Sequence, residues 1–275
     1  MTGPAATGPD VSGLAELARA VAEEAAGLLR SRHGAARVVQ TKSSPTDVVT
    51  EMDRASEALI RRRILAERPG DAILGEEGGQ TGGGMVRWIV DPLDGTVNYL
   101  YGLPDWSVSI AAEVAGTVVS GVVCAPLRRA TYIATLDGGA WLHSGWEQRP
   151  RRLACNSGVP LRRALVATGF SYLADERAAQ GAVAARLLPR IRDIRRAGSA
   201  ALDLCGVAEG MLDAYFESGV HAWDVAAGGL VAREAGAIVG GLHGGAAGAA
   251  MTIAAGPGQF TELHDALVEL VGAAG

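Results

Sequence analysis

Several signals that would assign a chain of this length to a familiar class are missing. The histidines (His33, His143, His221, His243, His264) are dispersed, and none sits in a phosphohistidine-type motif. Three cysteines, Cys124, Cys155 and Cys205, are too few and too scattered for a disulfide framework or a CxxC metal site. They read as reduced, mostly buried thiols, and a cytoplasmic location is expected. There is no GxSxG string, no phosphate-binding P-loop and no dinucleotide glycine fingerprint. Positive charge is not in surplus: the formal net charge is −5. The chain therefore has no general attraction for nucleic acid or anionic membranes, and no partner of either kind is expected. The longest uncharged stretch, residues 235–260, is interrupted by glycines and His243, so it reads as strand, loop and strand rather than a membrane helix. The first thirteen residues are rich in Gly, Pro and Thr and lack the basic and apolar regions of a signal peptide. Residues 1–10 are expected to form a disordered tail.

What remains is a chain of 275 residues, 48% hydrophobic and 20% charged, ordinary for one large globular domain or two packed halves. Apolar residues recur with a helical period from Val11 to Arg32. A second helix is expected from Asp53, stopping before Pro69-Gly70. Ala72–Leu74 and Val86–Val90 read as short buried strands, each followed by carboxylates. Residues 108–114, 117–124 and 130–135 read as an antiparallel meander. Beyond Gly158, strands and helices alternate. A composition shift near residue 155 divides an N-terminal half, 11–155, from a C-terminal half, 156–275.

Five segments carry chemistry. In Trp88-Ile89-Val90-Asp91-Pro92-Leu93-Asp94-Gly95-Thr96-Val97-Asn98, a buried strand is expected to deliver Asp91 at its end. Pro92 should stop the ladder, and Asp94 to Thr96 should open a helix capped by Asp or Thr. Two carboxylates across such a turn can converge, and oxygen clusters of that kind suit Mg²⁺. Alone, such a pair is more often structural; the whole string shifts the balance. Gly75-Glu76-Glu77-Gly78-Gly79 is a solvated turn unless a metal site adjoins it. Asp224, in Trp223-Asp224-Val225-Ala226-Ala227-Gly228, is expected as an N-cap of a closely packed helix, with Trp223 in the core. Lys42 to Asp53 holds Asp47 and Asp53, either a loop acid and a helix cap or neighbours of the carboxylates. Arg196-Ala197-Gly198-Ser199-Ala200 opens a helix whose amides can face substrate hydroxyls.

Together these segments, spanning roughly 42–236, resemble the inositol monophosphatase family; DPLDGTVNY and WDVAAGGLVAREAG are its specific strings. The resemblance implies a layered αβαβα sandwich, usually a homodimer, hydrolysing phosphate monoesters with two or three Mg²⁺ ions and commonly inhibited by lithium. It implies that Glu76, Asp91 and the Leu93 carbonyl hold one metal, and that Asp91, Asp94 and Asp224 hold another. Glu76 and Thr96 would activate water, with Asp53 supporting Thr96. The amides of Gly95 and Thr96 would bind phosphate. Gly198, Ser199, Ala200, Glu217 and Asp224 would meet the alcohol, while Lys42, Asp47 and Glu77 stand nearby. Tyr99 replaces the usual Phe, a mild change at a packing position, and Ser199 replaces a frequent Thr. The glycine-rich segment after Glu77 corresponds to a mobile loop in the family. Inositol 1-phosphate is the expected substrate, because Glu217 suits ring hydroxyls and repels a second phosphate. The alternatives are 3′-phosphoadenosine 5′-phosphate, fructose 1,6-bisphosphate, histidinol phosphate and NADP, or a non-catalytic regulatory protein on the same fold.

Overall fold

The computed structural model describes residues 9–35 and 37–272. Most of the expected tail lies outside these residues. Asp10, its last member, is the N-cap of α1 (Val11–Arg32), accepting the Ser12 N–H at 3.1 Å. The chain continues through β1 (Val38–Thr41), β2 (Val48–Thr50), α2 (Glu51–Glu67), β3 (Ala72–Gly75), β4 (Gly79–Thr81), β5 (Val86–Asp94) and α3 (Thr96–Leu100). Then come β6 (Ser107–Val114), β7 (Thr117–Ala125), β8 (Ala130–Thr135), β9 (Gly139–Ser144) and β10 (Arg151–Arg152). The remainder is β11 (Leu165–Thr168), α4 (Ala174–Leu187), β12 (Asp193–Arg195), α5 (Ala200–Glu209), β13 (Ala214–Glu217), α6 (Ala222–Glu234), β14 (Ile238–Gly240), β15 (Thr252–Ala255) and α7 (Gln259–Gly272).

An eight-stranded sheet runs in the order β10-β9-β8-β7-β6-β5-β3-β4, and a five-stranded sheet in the order β12-β11-β13-β15-β14. In the first, β3 and β5 are parallel while the other pairs are antiparallel. In the second, β11 lies parallel to both β12 and β13.

Side-chain alternation along the strands builds the layers. Trp88 and Val90 of β5, with Val108, Ile110 and Ala112 of β6, face a core made with α1 and α2. Their neighbours Ile89 and Ala111 face the opposite core, made with α5 and α6. In β13, Tyr215 packs toward α5 and α6, and Ala214 and Phe216 toward α4 and α7. Four apolar clusters thus separate five layers, which is the αβαβα sandwich expected. No described helix is long and apolar enough to cross a membrane.

Three local expectations need correction. The strand β5 does not end at Asp91: it continues to Asp94, which pairs with Ser107, across a bulge between Asp91 and Asp94. Pro92 is tolerated because the bulge takes it out of the ladder. The N-cap of α3 is Gly95 at φ 91°, with no side-chain cap, so neither Asp94 nor Thr96 caps it. This left-handed backbone is one that glycine adopts without steric cost. The caps of the longer helices also sit elsewhere. Thr50 is the N-cap of α2 and Asp53 closes a capping box onto it, while Asp224 accepts the His221 N–H at 2.6 Å from the third position of α6. Within the glycine-rich segment after Glu77, only Gly79–Thr81 pair as β4 with β3.

Tyr99 does more than pack. Its ring is fully buried edge-on to Trp106, and its hydroxyl donates to the Leu29 carbonyl at 2.7 Å, tying α3 to α1. Replacing it by Phe should lower stability by about 1 kcal/mol, read from urea unfolding. A melt unchanged from wild type would show that this bond contributes nothing.

Candidate active site

Asp91 and Asp94 are buried where β5 bulges, at the edge of the first helix–sheet core. Each carboxylate is anchored by part of its oxygens. The Leu93 N–H donates to Asp91 Oδ1 at 3.0 Å. Asp94 Oδ2 accepts from Ser199 Oγ at 2.6 Å and from the Ala201 N–H at 2.8 Å, which locks the start of α5 onto β5. Asp224 Oδ2 takes the His221 N–H. Among the described residues, Asp91 Oδ2 and Asp224 Oδ1 accept no hydrogen bond, so each acid keeps one oxygen without a protein donor.

Glu76 and Glu77 follow β3, and Lys42 bridges them at 2.8 and 2.6 Å. Asp53 is buried and takes three donors: the Thr50 N–H at 2.8 Å, Thr50 Oγ1 at 2.6 Å and Thr96 Oγ1 at 2.8 Å. Thr96 also approaches the Leu93 carbonyl at 3.1 Å. Glu217, at the end of β13, accepts the Tyr215 hydroxyl at 3.0 Å. The structure thus draws together Lys42, Glu76 and Glu77, then Asp53, Leu93 and Thr96, then Asp94, Ser199 and Ala200. Asp47 is different: it accepts from Ser43 N and Oγ and closes its own turn. Trp223 is half-buried: it packs against the core between the large sheet and α5 and α6, as expected, and its ring stacks on His221 at 4.7 Å.

Sequence reading missed three supports. Ser56 donates to the Pro92 carbonyl at 2.8 Å, steadying the bulge from α2. Asn98 donates to the carbonyls of Asp105 and Ala197 at 2.6 and 2.8 Å, tying α3 to the loop before Gly198. Glu57, buried on α2, accepts the amides of Glu77 and Gly78. Each is a polar residue on a helix, and helical period gives no sign that such a residue faces inward.

The electrostatics are dominated by crowding. Burial pushes the Asp91 carboxyl well above the usual range, and the charges of Glu76, Asp94 and Asp224 push it further. Asp224 is raised by burial and then by Asp94, and Glu76 by burial against the pull of Lys42. Asp94 is raised by burial despite its bonds to Ser199 and Ala201. Such a set is short of positive charge. Hard oxygen donors repelling one another, with Lys42 already committed to the two glutamates, fit a small divalent cation such as Mg²⁺. The fit is to the chemistry of the donors. Among the described residues, no group of three or more His, Cys, Asp or Glu side chains is arranged, as it stands, to hold a metal ion.

A cavity of about 450 Å³ opens beside α3, lined by Val97, Tyr101, Phe170, Tyr172, Arg177 and Arg196 among others and by none of the carboxylates above.

The inositol monophosphatase family profile matches residues 10–273. An inositol-1-monophosphatase of Mycobacterium leprae is 44% identical over 276 residues, covering 94% of each chain. A Nus factor SuhB of Pasteurella multocida is 41% identical over 208 residues, 74% of this chain and 76% of its own. The solved structure of Mycobacterium tuberculosis SuhB superposes with a TM-score of 0.80 at 43% identity, covering 95% of this chain and 98% of that one.

Burial raises the Glu217 carboxyl to about 7, with Asp94 adding and the Tyr215 bond opposing. The folded state therefore holds a proton that the unfolded state has lost, and stability falls as pH rises from the usual carboxylate range to about 7. Glu217→Gln should be more stable than wild type above pH 7, by at most about 3 kcal/mol, and equal to it near pH 4. Thermal melts at the two pH values measure this; a loss of stability at pH 8 would contradict it.

Proposed function

The chain belongs to the inositol monophosphatase family and is a phosphatase, and on that basis we propose that it hydrolyses inositol 1-phosphate with Mg²⁺ at the cluster of Glu76, Asp91, Asp94 and Asp224. The observation that carries the reading is the mutual repulsion of these part-anchored carboxylates.

Asp91 would serve both ions, with Glu76 and the Leu93 carbonyl completing one site and Asp94 and Asp224 the other. Bound there, Mg²⁺ supplies the charge that draws phosphate oxygens and makes water acidic enough to attack. The protein's own groups do the positioning. The Thr96 hydroxyl donates to Asp53, so its lone pairs are turned outward to accept a hydrogen bond from water. Glu76, which shares the Lys42 ammonium with its neighbour Glu77, is the acid that would receive a proton. The N–H groups of Gly95 and Thr96 head a five-residue helix whose first amides lack intrahelical partners, and these face phosphate. Ser199 holds Asp94, and the turn from Gly198 to Ala200 together with Glu217 receives the alcohol. Glu217 accepts hydrogen bonds from ring hydroxyls. The reading also includes lithium sensitivity, a homodimer and a cytoplasmic setting, as the family resemblance implies.

One observation favours a second reading of the alcohol. The cavity beside α3, with its aromatic and arginine lining, has room for a substrate larger than inositol, such as 3′-phosphoadenosine 5′-phosphate. Phosphate release from inositol 1-phosphate, 3′-phosphoadenosine 5′-phosphate, fructose 1,6-bisphosphate, histidinol phosphate and NADP decides between them. Inositol 1-phosphate should give the highest kcat/KM, and ranking last would end the assignment. Asp94→Asn should cut turnover ~100-fold or more while the chain stays folded. A non-catalytic binding or regulatory role would survive that change.

A further inference from the structure

The loop that carries Glu76 is held from behind by a residue with no place in the reaction. Glu57 lies on α2, buried, with its carboxylate beneath the turn after β3. Its Oε2 accepts the Glu77 N–H at 2.7 Å, and its Oε1 accepts the Gly78 N–H at 2.9 Å. The Arg61 Nε–H, one helical turn on, donates to Oε1 at 2.6 Å. Arg61 then reaches over the turn, donating to the Gly79 carbonyl at 2.6 Å and to Thr81 Oγ1 at 2.7 Å. The contact is close enough to exclude side chains: a Cβ at Gly75 would stand 2.6 Å from the Glu57 carboxyl, and one at Gly78 2.7 Å from Oε1. The Glu76 N–H, on the other side, bonds the Val90 carbonyl of β5 at 3.3 Å.

We propose that Glu57 and Arg61 form a positioning clamp that fixes the backbone around Glu76, and so sets the affinity of the site for its divalent cation. The inference rests on the metal reading given above. A buried carboxylate would ordinarily add to the negative crowding; here the guanidinium balances it, so Glu57 holds two amides without loading the cluster. A carboxylate is required for the geometry. Two N–H groups and one guanidinium converge on its two oxygens, and an amide side chain would turn a donor against one of them. Partners that orient a metal ligand from outside typically alter metal affinity 10–100-fold when removed.

The test is isothermal titration of Mg²⁺ into wild type, Glu57→Gln and Gly78→Ala, the last of which presses on the same carboxylate from the solvent side. Melting curves establish that each variant is folded, and Gly78→Ala with Arg61→Ala carries the test if Glu57→Gln does not fold. The expected result is a Kd for Mg²⁺ raised ~10-fold, faster hydrogen exchange at the amides of Glu77 and Gly78, and activity regained at high Mg²⁺ with the substrate KM little changed. A role in stability alone would lower the melting temperature and leave Mg²⁺ affinity as it was, and that result overturns the clamp. Wild type that binds no Mg²⁺ overturns the metal reading itself, and the two failures are distinguishable in one experiment.

Discussion

Like-charge repulsion among Asp91, Asp94, Asp224 and Glu76 is the constraint on which the rest of the structure depends. Buried carboxylates without a cation are costly, and the chain spends much of its polar framework on holding them there. One oxygen of each aspartate is fastened to a backbone amide or a hydroxyl. The fastening points are the structural joints of the fold: a strand bulge, the start of α5 and the first turn of α6. The same bonds that finish secondary structure elements therefore aim the acids. Removing a supporting residue changes local order and site geometry together.

The layers make this possible because they bring distant segments to one place. β5 and α3 come from the first half of the chain, while α5, β13 and α6 come from the second. The capping box at Thr50 and Asp53 adds α2 from below, and the Asp53–Thr96 bond links it to α3. Asn98 closes the arrangement by holding the carbonyls of Asp105 and Ala197 at once. Neither half holds the carboxylates alone.

Much of this was legible in the sequence. Helical and alternating periods located α1, the meander and the alternating second half, because those patterns report which side chains are buried. The carboxylate segments were legible because their strings are specific. The errors have a common physical source. Hydrogen bonding, which leaves no period, decides where Thr50 and His221 start helices and why β5 runs on past Pro92. Glu57 and Ser56 are polar helix positions whose buried partners are backbone groups of other elements, which no helical period reports. Tyr99 read as packing because its acceptor, the Leu29 carbonyl, is remote in sequence. Of the two readings open for Asp47 and Asp53, the loop acid and helix cap hold for both, since Ser43 keeps Asp47 within its own turn and Asp53 closes the capping box of α2.

The bulge in β5 has a consequence for how this chain tolerates change. In a regular strand, residues three apart point to opposite faces; the bulge between Asp91 and Asp94 breaks that rule and lets both join one cluster of acids. Side chains elsewhere in β5 can drift as long as they stay apolar. Its length cannot. One residue gained or lost between Val90 and Gly95 would rotate one of the two acids into an apolar core, so the spacing of this segment acts as a ruler for the whole family of possible variants.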